Sequence, residues 1–100
     1  MTCLLEITPE AEQDIEAIVQ NINQQDSIDS ARRILALLKV QLNSLADFPD
    51  SGRVGGCEGT REIVMTGLPY IIIYEISKSV VIILRVLYGA DERRLQSREE

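Results

Sequence analysis

The spacing of the apolar residues changes near residue 50 and divides the chain into two halves of different character. In the first half apolar residues recur every three or four positions, which is the period of a helix with one buried face. In the second half they form short, almost continuous runs rich in isoleucine and valine, which are typical of strands. A chain of 100 residues with this pattern is most simply one domain in which helices pack on a sheet.

Two helices are predicted in the first half. Thr8 can cap the first, and Pro9 suits its first position. Its apolar stripe is Ile15, Ile18, Val19 and Ile22. Asp26 or Ser27 can cap the second helix, which we expect to run to about Asp47. The second stripe comprises Ile28, Ala31, Leu35, Leu38, Leu42 and Leu45, widened by Ile34, Leu37 and Val40. So broad an arc predicts that this helix packs against both the first helix and a sheet.

Four strands are predicted around these helices, over residues 3–8, 60–66, 70–76 and 80–88. The fold class is therefore α+β: a two-layer β-α-α-β-β-β domain, with two N-terminal helices packed on one face of a mainly antiparallel four-stranded sheet. We expect residues 1–90 to form this single domain and residues 91–100 to form a charged C-terminal tail. The glycine-rich stretch over residues 52–59 predicts a mobile loop.

The last strand carries apolar residues on both of its sides. Strict alternation places Val81, Ile83 and Leu87, with Arg85, on the side opposite the one that we assign to the helices. Because two helices cover one side of a small sheet, we expect Val81, Ile83 and Leu87 to be an exposed partner-binding face. The alternative is that the tail or a bent loop of the same chain covers this face.

Composition limits the chemistry that the chain can perform. There is no histidine, which excludes histidine-based triads and imidazole metal ligands. The two cysteines are too few for a disulfide scaffold or a zinc cluster, so we expect reduced thiols, no metal and no cofactor. Residues 1–50 carry three basic and nine acidic side chains, which accounts for the whole net charge of -6. Residues 51–100 are balanced at seven of each and hold most of the arginines.

Four segments of the chain together resemble the RelE/ParE superfamily of small bacterial toxins. They are LADFPDSGR at 45–53, GTREIV at 59–64, LPYIIIY at 68–74 and ILRVLYGA at 83–90, with a looser match at 31–34. The resemblance implies the β-α-α-β-β-β order and a growth-inhibiting, plasmid-stabilising toxin of a type II toxin–antitoxin pair. It also implies a bacterial cytoplasmic protein that is neutralised by an antitoxin protein. No membrane segment is expected, and a homodimer is left open.

The superfamily contains two mechanisms, and the resemblance implies different site residues for each. RelE-like members cut messenger RNA on the ribosome without a metal, and the matching candidates here are Arg53, Arg61, Arg85 and Tyr88. Guanidinium groups suit this role because they clamp phosphate bidentately and stay charged. ParE-like members poison DNA gyrase by binding. An arginine in the middle of an aliphatic strand must reach solvent or pair with a carboxylate, for which Glu62 and Glu75 are candidates.

Two departures from the superfamily favour the binding mechanism. Many relatives have histidine and arginine where this chain has Tyr88 and Asp91, so a proton-transfer group and a cation are both replaced. We therefore expect a ParE-like gyrase-binding toxin, with Arg61, Arg85 and the tail residues Arg93, Arg94 and Arg98 serving recognition. The alternatives are a RelE-like messenger RNA endoribonuclease and a degenerate, non-toxic interaction module.

Overall fold

A computed structural model describes residues 3–65 and 67–89 of the chain. The elements in chain order are β1 (Leu4–Ile7), α1 (Pro9–Gln25), α2 (Ile28–Asp47), a 3₁₀ turn (Pro49–Ser51), β2 (Arg53–Val54), β3 (Arg61–Val64), β4 (Tyr70–Ser77) and β5 (Val80–Tyr88). The predicted α+β architecture of two helices on one face of a mainly antiparallel sheet is confirmed. The sheet has five strands rather than the predicted four, and the additional strand is β2.

Both predicted helix starts are confirmed by side-chain caps. The Thr8 hydroxyl accepts the backbone N–H of Ala11 at 3.2 Å, and the Ser27 hydroxyl accepts that of Ser30 at 3.1 Å. The Thr8 hydroxyl also donates to the carbonyl oxygen of Ile83 at 2.9 Å. The start of α1 is thereby fixed to the last strand as well as capped.

The sheet has the order β1-β5-β4-β3-β2, so the first and last strands are neighbours. β1 pairs with β5 in parallel, and the other pairs are antiparallel. The two helices lie between β1 and the meander in sequence, which is the long connection that a parallel neighbour requires. Neither helix in the described part of the chain is long and apolar enough to cross a membrane.

The glycine-rich stretch forms more structure than the predicted loop. Arg53 and Val54 pair with Glu62 and Arg61 of β3 to form the short edge strand β2. The turn that follows is closed by the N–H of Gly55, which donates to the carbonyl of Thr60 at 2.8 Å. This segment therefore has a defined position beside β3.

The predicted faces of β5 are wrong for Val81 and Ile83. Both side chains have 0% exposure and lie in the core beneath the helices, so they cannot form an exposed partner-binding face. Leu87 is half-buried. The alternation breaks at a β-bulge: Ile83 pairs with Tyr74 and Arg85 with Ile73, which leaves Leu84 as the extra residue. The extra residue shifts the alternation by one, so that Ile83 and Val86 both face the helices.

The core lies between α1, α2 and the sheet. Its buried members are Ala11, Leu38, Leu42, Leu45, Met65, Ile72, Tyr74, Val81, Ile83 and Val86. Helix α2 contacts both α1 and the sheet, as its broad arc predicted. These contacts do not cover the whole apolar arc of α2. Ile28, Leu37 and Val40 remain 55%, 44% and 66% exposed.

Candidate functional site

Arg53 lies on β2 and is held by Glu62, its direct partner across the β2–β3 pair. Arg53 Nη2 lies 3.2 Å from Glu62 Oε1, and the N–H of Gly56 donates to Glu62 Oε2 at 3.2 Å. Only 11% of the Glu62 side chain is exposed, against 56% of that of Arg53. Glu62 thus joins the arginine to the glycine turn, and we call this region the β2–β3 corner.

Arg61 belongs to the same corner but has other partners. Its Nη1 donates to the carbonyl of Gly52 at 2.9 Å, and its Nη2 lies 3.7 Å from Asp50 Oδ1. The Asp50 side chain is 85% exposed, so this ion pair is screened by water. The bond to the Gly52 carbonyl is the contact that positions the guanidinium.

The buried residue Tyr74, which pairs with Arg61 across the β3–β4 ladder, anchors the segment between α2 and β2. Its hydroxyl donates to the carbonyl of Pro49 at 2.7 Å and accepts the N–H of Gly52 at 2.9 Å. A side chain at Gly52 would place its Cβ 2.5 Å from that hydroxyl oxygen. The corner therefore requires both the phenol and a residue without a side chain.

Arg85 lies on β5 and pairs with a carboxylate, as predicted, but that carboxylate belongs to Asp14 of α1, which was not among the named candidates. Arg85 Nε donates to Asp14 Oδ2 at 2.7 Å, and Nη2 donates to Oδ1 at 3.0 Å. The N–H of Val86 donates to the same Oδ2 at 3.0 Å. Because β1 pairs with β5 only as far as Ile83, Asp14 binds a strand edge that β1 leaves open.

Tyr88 lies at the end of β5 and is 52% exposed. Its ring meets that of Tyr70 edge-on, with ring centroids 6.1 Å apart and planes at 69°. Burial, with a smaller contribution from the neighbouring Tyr88, raises the pKa of the Tyr70 phenol above its usual value of 10.0. This aromatic pair lies at the open end of the β4–β5 hairpin, where β4 begins and β5 ends.

Arg53 and Arg61 lie on adjoining strands but on opposite faces of the sheet, because Arg53 pairs with Glu62, the neighbour of Arg61. Arg85 lies farther away. Arg53 pairs with Glu62, Glu62 with Ile73, and Ile73 with Arg85. Three strand spacings therefore separate the backbones of Arg53 and Arg85, which is about 14 Å. Since Arg85 is bound to a helix beyond the other side of β5, the three guanidinium groups do not converge on one phosphate.

Sequence reasoning missed two residues, Asp14 and Tyr74, and a groove between α1 and α2. The groove has a volume of about 470 Å³ and is lined by Glu12, Ile15, Glu16, Val19, Gln20 and Leu35. Its apolar members were predicted as core stripes, and the two glutamates at its rim give it an acidic edge. The predicted partner-binding residues Arg93 and Arg94 lie outside the described residues, as does Arg98.

Comparisons of sequence identify relatives of this chain. A family model described as the ParE toxin of the type II toxin–antitoxin system parDE matches residues 5–93. The Sinorhizobium fredii protein Y4kP, a candidate toxin by name, is 42% identical over 60 residues, which are 60% of this chain. The matched region spans 62% of the length of Y4kP.

Solved structures share the fold at low sequence identity. A chain of the chromosomal ParDE toxin–antitoxin system from P. aeruginosa superimposes with a TM-score of 0.80 at 19% identity, covering 87% of this chain and 96% of that one. A chain of the RelBE2 toxin–antitoxin complex from Mycobacterium tuberculosis gives a TM-score of 0.63 at 20% identity, with coverages of 88% and 99%. These two structures show the shared fold. The family model, which spans both helices and all of the sheet except Leu4, places the chain in the family of ParE toxins of type II toxin–antitoxin systems.

Proposed function

We propose that this chain inhibits growth as a ParE-like toxin that binds DNA gyrase, and that a cognate antitoxin protein neutralises it. The contacts of Arg85 carry the proposal. This arginine is the last-strand cation that RNA cleavage would need at the phosphate, and its Nε and Nη2 atoms both donate to the carboxylate of Asp14 on α1. A guanidinium in a bidentate pair has its fork occupied by the carboxylate that a phosphate would have to displace.

The distribution of the other candidates supports binding over cleavage. Cleavage of RNA without a metal requires cations and proton-transfer groups placed together around one phosphate. Arg53 and Arg61 lie at the β2–β3 corner beside Glu62 and Asp50. Tyr88 lies instead beside Tyr70 at the start of β4. Negative charge next to each arginine lowers the local potential that would attract a polyanion.

The groove between α1 and α2 is the proposed contact for the antitoxin. Ile15, Val19 and Leu35 give it an apolar floor, and Glu12 and Glu16 give it an acidic rim. An amphipathic helix bearing apolar residues at helical spacing and basic residues on its flank matches both properties. We therefore expect an antitoxin segment of that composition.

The target is tested by inducing the chain alone and mapping gyrase-linked DNA breaks and messenger RNA 5′ ends in the same culture. We expect growth arrest with gyrase-linked breaks and no codon-positioned RNA ends. New RNA ends that disappear in both Arg61→Ala and Arg85→Ala would establish the nuclease instead. Arrest with neither signal contradicts the gyrase proposal, and the absence of arrest would leave the non-toxic interaction module.

The antitoxin surface is tested with two variants that make the same change of charge. Val19→Lys places a cation in the acidic groove and should weaken co-purification with the small protein encoded by the adjacent gene at least tenfold. Gln24→Lys makes a similar change at an exposed position of α1 that does not line the groove, and it should bind normally. Equal binding by both variants would exclude the groove as the contact.

A further inference from the structure

The outward side of α2 combines exposed apolar and charged residues. Val40 and Leu37 are 66% and 44% exposed, and Arg33 and Asp47 on the same side are also exposed. Buried leucines of α2 point the opposite way, into the core. The helix therefore carries a second apolar strip that its own domain leaves on the surface.

The charges on this strip are placed symmetrically about its centre. Arg33, Val40 and Asp47 follow one another at intervals of seven residues, which is close to two helical turns, so all three lie in one line along the helix. The cation and the carboxylate are thus equally far from Val40, in opposite directions. Ala36, four residues before Val40, adds a small side chain to the same surface.

We propose that α2 pairs with α2 of a second copy of this chain in an antiparallel arrangement, with Val40 on the two-fold axis. A two-fold interface is self-complementary, so each contact occurs twice. Val40 then meets Val40 of the other copy, and Arg33 of each copy meets Asp47 of the other. The small Ala36 side chains let the two helix axes approach closely.

Charge complementarity selects a second copy as the occupant of this strip. A parallel pairing would set Arg33 against Arg33 and Asp47 against Asp47, whereas the antiparallel pairing creates two opposite-charge contacts. Asp47 also interacts within its own chain, and a carboxylate has two oxygens that can accept further bonds. The strip is distinct from the acidic groove of Glu12 and Val19, so the inference does not depend on the proposed antitoxin contact.

The size of the interface sets its strength. A single helix pair buries less than the roughly 1,200 Å² of a stable complex, so the dimer belongs to the weak and transient class. We expect a monomer–dimer equilibrium that depends on concentration in the micromolar range or above, as measured by sedimentation of the full chain.

Cysteine cross-linking locates the axis directly. With the exposed free thiol of Cys57 replaced by serine, Val40→Cys should form a disulfide-linked dimer under mild oxidation. Ser79→Cys, at an exposed position of the β4–β5 hairpin, is the matched control and should cross-link at least tenfold more slowly. Equal rates for the two variants would overturn the proposal.

A charge-reversal cycle tests the pairing of Arg33 with Asp47. Arg33→Asp and Asp47→Arg each create like-charge contacts across the axis and should weaken the dimer at least tenfold. The double variant exchanges the two charges and should recover most of the loss, with thermal melts confirming that every variant is folded. A double variant no stronger than either single one would rule out the antiparallel arrangement.

Discussion

An arginine of the sheet is paired with a carboxylate at two places, the β2–β3 corner and the open edge of β5. The two places differ in how far apart along the chain the bonded residues are. At the corner Glu62 binds Arg53 and the N–H of Gly56, which are nine and six residues away. At the edge Asp14 binds Arg85 and the N–H of Val86, which are 71 and 72 residues away. The corner bonds close a local turn, whereas the edge bonds join the helix layer to the sheet.

The difference shows that a similar ion pair contributes differently according to what it connects. Opening a local turn exposes little apolar surface and leaves the core intact. Separating α1 from β5 exposes core residues such as Ala11 and Val86, both of which are buried. Loss of Asp14 should therefore lower global stability, while loss of Glu62 should mainly loosen the turn.

The largest expected effect comes from packing at the corner. Gly52→Ala would place a Cβ 2.5 Å from the Tyr74 hydroxyl and 2.8 Å from the backbone oxygen of Glu62. Because the backbone cannot yield easily, we expect the free energy of unfolding to fall by about 3 kcal/mol in a urea titration. Gly59→Ala is the control: its Cβ meets no atom within 4 Å, but its φ of +80° strains alanine and should cost about 1 kcal/mol. A smaller loss at Gly52 than at Gly59 would contradict the packing argument.

Asp14→Ala should have the second largest effect, because it removes three bonds between the layers. Only 16% of the Asp14 side chain is exposed, whereas 48% of that of Arg85 is in contact with water. Since solvent screens the arginine, we expect a loss of about 2 kcal/mol rather than the full cost of breaking a buried pair. Glu16→Ala, at an exposed position on the same helix, should change the stability by less than about 0.5 kcal/mol.

Asp14→Asn separates the charge from the hydrogen bonds. The amide oxygen can still accept the N–H of Val86, so about half of the loss should be recovered. If Asp14→Asn were as unstable as Asp14→Ala, the charge of Asp14 in its ion pair with Arg85 would account for the whole stabilisation.

Sequence patterns predicted the parts of the fold that depend on local signals. Thr8 and Ser27 cap their helices as expected, and the turn at 67–69 connects β3 to β4. The two-residue strand β2 escaped prediction because its pairing is supplied by β3 and not by a β-forming run of its own. Membership of the toxin superfamily also followed from short segments whose order and spacing agree.

Prediction failed where the pattern was ambiguous or the contact was distant. Both sides of β5 are apolar, so nothing in the sequence shows which side faces the helices or where the bulge at Leu84 interrupts the alternation. The partner of Arg85 was sought on neighbouring strands, but a bulge re-aims nearby side chains, and its partner lies on α1. The candidate site was therefore predicted as a set of residue types and not as an arrangement.

Glu62→Gln tests the local bonds at the β2–β3 corner and should lower the stability less than Asp14→Ala does. The amide cannot balance the charge of Arg53, and one of its two ends becomes a donor facing either Arg53 or the N–H of Gly56. We expect a loss of about 1 kcal/mol in the free energy of unfolding. Hydrogen exchange should accelerate at Gly56 and its neighbours more than in β4. Uniform acceleration across the sheet would mean that Glu62 supports the whole fold. Glu75→Gln, on the adjoining strand β4, is the matched control.

The smallest expected effect concerns the aromatic pair of Tyr70 and Tyr88 at the start of β4, and it appears only at high pH. Burial, followed by the neighbouring Tyr88, raises the pKa of Tyr70 in the folded chain above the usual 10.0. The unfolded chain therefore releases this proton at lower pH than the folded chain does. The stability that the neutral phenol contributes is complete below about pH 10 and is lost as the pH rises through the raised pKa.

In urea titrations at pH 9 and pH 11, Tyr70→Phe should lose less stability between the two pH values than the unmodified chain does. Tyr88→Phe should reduce the loss by a smaller amount, because it removes only the lesser of the two causes. An unchanged pH dependence in Tyr70→Phe would show that the end of the β4–β5 hairpin does not bury this phenol enough to affect its ionisation.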